Sequence, residues 1–252
     1  STNLRKGYHA AGDRYETSWS DLSVGCEACH GPGSEHVAWA KGEPDRARGL
    51  SEGTMGLALR LKDTDGGSFL MERKTGIAKR SPARTSHVEV ETCARCHARR
   101  GALTDDYIPG RPILDTHRVA LLEEELYYPD GQIQGEVYEY GSFLQSKMYA
   151  GGVTCHDCHD PHSASLVASG NAVCARCHLP GRFDSPAHHH HAASSAGSRC
   201  VGCHMPTKRF MVIDARHDHS IRIPRPDLTL KIGTPNACTQ CHADRPAQWA
   251  AD

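Results

Sequence analysis

The run Cys155-His156-Asp157-Cys158-His159-Asp160-Pro161-His162 decides how the remainder of this 252-residue chain is read. It holds the pentapeptide Cys-x-x-Cys-His, which recurs at Cys26/Cys29/His30, Cys93/Cys96/His97, Cys174/Cys177/His178, Cys200/Cys203/His204 and Cys238/Cys241/His242. Together the six copies use all 12 cysteines. Cys-x-x-Cys alone also serves zinc ribbons, redox dithiols and disulfide scaffolds, but none of these needs a histidine directly after the second cysteine. On composition, six such placements by chance are roughly a one-in-ten-million event.

The chemistry that does need that histidine is covalent haem attachment. Two thiols add to the porphyrin vinyl groups, and the adjoining imidazole ligates the iron from the proximal side. The sequence therefore predicts six covalently bound c-type haems, held by the twelve cysteines and by His30, His97, His159, His178, His204 and His242. Haem is joined to such a chain outside the cytoplasm, so the expected location is periplasmic or extracellular. No stretch approaches the roughly 20 apolar residues of a membrane span.

Composition agrees with a protein whose core is cofactor. Only 38% of residues are hydrophobic and 6% aromatic, with 24 Gly and 14 Pro. Apolar porphyrin surface then replaces much of the side-chain core. The polypeptide carries a formal charge of −1, and six ferric haems with two propionates each bring the total to about −7. Arg95, Arg99, Arg100, Lys147, Arg176, Arg209, Arg222 and Arg225 lie near the motifs and can serve as propionate counterions. No basic run points to nucleic acid.

The motifs are unevenly spread. Their first cysteines follow one another at 67, 62, 19, 26 and 38 residues. Residues 1–150 form a loosely haem-packed half and residues 151–252 a dense one, read together as one hexahaem domain. The pattern across residues 57–74 predicts a β-hairpin about an Asp-Gly-Gly turn. Helices are expected at Ser34–Lys41 and Arg118–Tyr127, the latter from Leu121, Leu122 and Leu126 at helical spacing, with a short helical turn opening each haem motif and loops elsewhere. The predicted fold class is mostly irregular, with short α-helices and a small hairpin organised around six stacked haems.

Twelve histidines remain for the sixth ligand, twice the number needed, which predicts bis-histidine, low-spin irons. Met148 and Met211 are the methionine competitors. His36 and His162 sit just beyond a haem motif, across a Gly-Pro-Gly turn and a Pro161 turn, and are expected to ligate a neighbouring iron. His219 is favoured over His217. One of His188 to His191, taken as His189, is expected to ligate, with His87 and His117 completing the set; His9 and His156 stay unassigned.

At this point the longer strings carry a resemblance. VGCEACHGPGSEHVAWA, ETCARCHARRG, YGSFLQSKMYAGGVTCHDCHDPHSASL, CVGCHMPTKRFMVIDARHDHSIRIPRPDL and GTPNACTQCH resemble multihaem c-type cytochromes that carry tetratricopeptide repeats after the haem domain, and more loosely other nitrogen-cycle multihaem carriers. The resemblance spans Val24 to His242. It implies closely stacked bis-histidine haems in an exported protein, and a chain that is the haem-packed middle of a longer precursor or is matured by cleavage. The expected function is electron transfer along the haem row, with redox proteins or an extracellular acceptor as partners and a homo-oligomer or filament as the assembly. The alternative is an oxidoreductase acting on a small nitrogen compound at one open haem; the absence of a Cys-x-x-Cys-Lys variant and the surplus of histidine argue against it.

Overall fold

In a computed structural model, which describes residues 1–43, 53–61 and 65–252, regular structure is sparse and short. Its longest helix among the described residues is Val88–His97, 10 residues. Among the described residues the strands form five two-stranded antiparallel ladders. Gly and Pro explain the brevity, since neither sustains a helix or strand interior. Left-handed backbone occurs at non-glycine positions as well, among them Asp13, Glu125, His190, Met211 and Val212.

The chain divides into two compact units. One contains residues 1–64, 86–96 and 100–119; the other contains residues 65–85, 97–99 and 120–252. In the first, Tyr8–His9 pairs with Arg14–Tyr15 and Arg100–Ala102 with His117–Val119. Val90 and Ala94, one helical turn apart, are buried, as are Ala38 and Ile113. The Ile113 amide donates to the Glu91 carboxylate at 3.0 Å, and Gly7 N–H to Asp105 at 2.9 Å.

In the second unit the ladders are Ser68–Glu72 with Ile77–Ser81, His159–Asp160 with Ser165–Leu166, and Thr207–Phe210 with Asp214–His217. Its buried apolar groups are Ala98, Tyr127, Val137 and Phe143. Across the described residues of both units only eight hydrophobic residues are buried. Such a core is thin for a chain of this length, as composition predicted.

Three local expectations can be compared directly. The helix at Ser34–Ala40 forms. The helix expected over Arg118–Tyr127 does not: its first residues belong to the His117–Val119 strand, Leu121 and Leu122 are exposed, and the chain turns through Glu123. Strand pairing with Arg100–Ala102 outweighs local helix propensity. The hairpin exists but is shifted. Its strands are Ser68–Glu72 and Ile77–Ser81, the turn runs through Arg73–Gly76, and residues 57–61 carry no strand, while 62–64 lie outside the described residues. Asp65, Gly66 and Gly67 instead make an Asx turn in which Gly67 N–H donates to Asp65 at 2.9 Å.

Candidate haem centres

Each motif starts or lies in a helical turn, as its spacing requires. Cys26–His30 and Cys200–His204 are short α-helices, Cys93 to His97 ends the helix Val88–His97, Cys174 lies in Ala172–Ala175, and Cys155–Asp157 and Cys238–Gln240 are single 3-10 turns. Residues three apart on such a turn share a face, so both thiols of a motif address one edge of a flat ligand.

Behind the motifs, passing chain fixes the histidines. The Leu59 amide donates to the His30 carbonyl at 3.0 Å, while His30 Nδ1 faces the Leu59 carbonyl at 2.9 Å. The same clasp recurs at His204, where Arg222 N–H donates to His204 O at 3.1 Å and His204 Nδ1 meets Arg222 O at 2.8 Å. At His178 the hairpin does this work: Ala78 N–H donates to Cys177 O, Leu179 N–H to Gly76 O, and Ile77 bridges His178. At His97 a carboxylate takes the place of a carbonyl, with Nδ1 3.1 Å from Glu139 Oε2. An Nδ1–H so engaged leaves the Nε2 lone pair free to bind a metal and fixes the ring's orientation.

Three motif histidines have a second imidazole opposite them. Ring centres are 6.3 Å apart for His159 and His219, 6.0 Å for His204 and His188, and 6.0 Å for His242 and His191, with interplanar angles of 28°, 11° and 27°. Two metal–imidazole bonds of about 2 Å, plus about an ångström from each nitrogen to its ring centre, require roughly 6 Å. The spacing therefore fits an iron between each pair. His219 and His191 are also tethered through Nδ1, to the carbonyls of His217 and His189.

The other sequence-predicted ligands occupy varied settings. His36 lies on Ser34–Ala40 with Nδ1 2.7 Å from Met55 O and its ring stacked on Trp39. His117 is buried, edge-on to Tyr107, and its pKa is lowered first by burial and then by Arg100 and Arg95. His87 is exposed just ahead of Val88–His97, and its carbonyl accepts from Glu91 N–H. His162 is exposed and its amide donates to Asp160. His189 lies against His191, with ring centres 6.5 Å apart. Of the run His188 to His191, the structure thus sets His188 and His191 opposite motif histidines. A run of four identical residues gives a sequence reading no means of choosing among them; the turn that separates the two rings, with His190 left-handed, is visible only in the fold.

Thiols adjoin between the first and second motifs, the third and fourth, the fourth and fifth, and the fifth and sixth. Burial raises the Cys29 pKa, and the Cys93 and Cys96 thiols add to it. Cys158 is raised by burial, then by Asp157 and Cys177. The Cys200 thiol donates to Cys174, which lowers the Cys174 pKa. Burial raises Cys203, with Cys238 and Cys241 adding. His159 is lowered by burial first, then by His219 and His97, so the second and third motifs adjoin through their histidines. Within each unit the attachment sites of successive motifs therefore neighbour one another. Of the expected counterions, Arg222 is tied to Asp130, Arg225 to Asp227 and Arg99 to the Glu136 carbonyl.

Residues 147–182 match the family described as a doubled CXXCH motif. The fold is shared with the crystal structure of the outer cell wall cytochrome OcwA, at a TM-score of 0.60 and 18% sequence identity, covering 99% of this chain and 61% of that one. A search of curated protein sequences finds no match. The motif match supports covalent attachment of haem c, and the shared fold supports the architecture of a multihaem c-type cytochrome. The chain spans 61% of the length of OcwA, which is described as an outer cell wall cytochrome. Among the described residues no helix is long and apolar enough to cross a membrane.

Proposed function

We propose that residues 1–252 work as one hexahaem electron-transfer domain outside the cytoplasm, passing electrons along a row ordered as the motifs are ordered in sequence. The observation that carries this reading is the 6.0 to 6.3 Å spacing of three imidazole pairs beside thiols that link one motif to the next. Covalently held haem supplies a one-electron iron couple that needs no bound substrate. The chain's own part would be to hold and orient: the cysteines would pin the porphyrin edges and the paired imidazoles would hold the iron, one of each pair tethered through Nδ1 to a backbone carbonyl.

On this reading His219, His188 and His191 are the distal ligands opposite His159, His204 and His242. His36, His87, His117 and His162 are the pool for the remaining irons, His36 and His162 each serving an iron other than that of the motif before it. Two measurements test the proposal. The intact mass after denaturation should exceed the 27.5 kDa polypeptide by six haems, and ferric spectra should be wholly low-spin. A mass short of six haems in fully matured protein defeats the count, and a high-spin band defeats closed coordination and favours the oxidoreductase reading.

A further inference from the structure

Two motifs share the spelling Cys-Ala-Arg-Cys-His: Cys93 to His97 and Cys174 to His178. Their arginines do the same thing. Arg95 Nη1 donates to the carbonyl of Ala28 at 3.0 Å, and Arg176 Nη1 donates to the carbonyl of Asp157. Ala28 and Asp157 hold equivalent places, each directly before the second cysteine of the preceding motif, Cys29 and Cys158. At the same position in the last motif stands Gln240, a neutral residue whose amide donates to Thr207 O at 3.5 Å. The device therefore occurs twice, in sites far apart in sequence, and a natural neutral counterpart occupies the third.

Resting on the hexahaem reading above, we propose that Arg95 and Arg176 are cross-motif latches: each lays a fixed positive charge on the attachment edge shared by two haems and raises the reduction potentials of that pair. Reduction adds one electron to the ferric iron and moves no proton, so a cation nearby favours the reduced state. Arginine is the suitable residue because it stays charged at any working pH. The Arg95 guanidinium is also stacked 3.7 Å from the Tyr107 ring centre, and its Nε is buried without a hydrogen-bond partner. Removed from water in this way, its charge acts at greater strength than a solvated one. Arg176 is exposed and has the Asp157 carboxylate beside its acceptor, so its effect is the smaller. The Cys26/Cys93 pair is thus the preferred resting place for electrons, and the Cys200/Cys238 pair, with Gln240, lies lower in potential.

The test is a potentiometric titration of the haem-loaded full chain with Arg95→Gln, Arg95→Lys, Arg176→Gln and Gln240→Arg. Arg95→Gln should move two of the haems about tenfold toward the oxidised form, a fall of about 59 mV for a one-electron couple. Arg176→Gln should do so by less, Arg95→Lys should retain most of the potential, and Gln240→Arg should raise that of a different pair. Unchanged potentials in a fully loaded, low-spin Arg95→Gln protein overturn the latch and leave the hexahaem reading standing. A wild-type mass short of haem at these motifs overturns both. Should Arg95→Gln lose haem, Gln240→Arg decides: an upward shift supports the latch and no shift overturns it.

Discussion

At the scale of single residues, the centres depend on close approaches that allow no side chain. A Cβ at Gly197 would lie 2.3 Å from the His191 ring, although Gly197 itself needs no left-handed backbone. Gly197→Ala should therefore push His191 off the His242 axis. The expected outcome is a high-spin fraction of about one iron in six in ferric magnetic resonance, with haem load unchanged, because the thioethers do not depend on His191. Glu139 offers a second test. Burial raises its pKa, but the hydrogen bond with His97 and one from its own backbone outweigh burial and keep it below the ordinary carboxylate value. A carboxylate on Nδ1 makes the imidazole a stronger donor to iron and so favours the ferric state. Glu139→Gln should raise one haem's potential, and a titration in which every potential stays fixed would refute that role.

Among elements, the lesson concerns which signals were local. The six motifs, the helix Ser34–Ala40 and the thin core were legible because helical spacing, ligand chemistry and composition are carried within a few residues. The Arg118–Tyr127 error arose from a pairing with Arg100–Ala102, some 17 residues away, that no local window contains. The hairpin was placed around Asp65-Gly66-Gly67 because that is the stronger turn signal. Its actual turn is closed by Thr75, whose hydroxyl donates to the Glu72 carboxylate at 2.6 Å, and by left-handed Gly76. The strand Ile77–Ser81 then backs His178, a contact that depends on chain nearly 100 residues further on. The proposed distal histidines pose the same difficulty more sharply. His188 and His191 were hidden in a run of four, and only the turn at His190 separates them.

Packing around Tyr127 gives an element-scale prediction. This ring is 5% exposed, and a Cβ added at Gly141 would sit 2.1 Å from its hydroxyl. Gly141→Ala should cost about 1–3 kcal/mol by overpacking, and Tyr127→Phe, which removes that oxygen, should recover part of the loss in the double variant. The same burial, with Asp218 nearby, pushes the Tyr127 pKa up to about 12 from 10.0. A raised folded-state pKa stabilises the neutral form, so this contribution is complete below pH 10 and is lost as pH climbs toward 12. Denaturation of the haem-loaded protein across that range should show a decline of about 3 kcal/mol, flattened in Tyr127→Phe. An equal decline in both proteins would assign it elsewhere.

On the scale of the whole molecule, the balance of forces turns on what fills the interior. Eight buried hydrophobic residues among those described, three of them alanines, remove little apolar surface from water, whereas ordering each residue costs on the order of 1–2 kcal/mol in backbone entropy. Ladders of two to five residue pairs do not close that gap, since an isolated two-stranded hairpin is marginal at best. Bound haems would supply both missing contributions: apolar surface for the chain to pack against and, through iron held by histidines far apart in sequence such as His159 and His219, links between remote segments. The haem-free chain, made by replacing all 12 cysteines with serine, should therefore lack a cooperative fold, with poorly dispersed amide resonances and hydrogen exchange near the unprotected rate. The comparison matters because the backbone clasps at His30, His204 and His178 are polypeptide contacts and would survive if the scaffold folded first. A sharp thermal transition in the serine variant would mean that the chain preorganises its haem sites; its absence would mean that haem attachment and folding are one process.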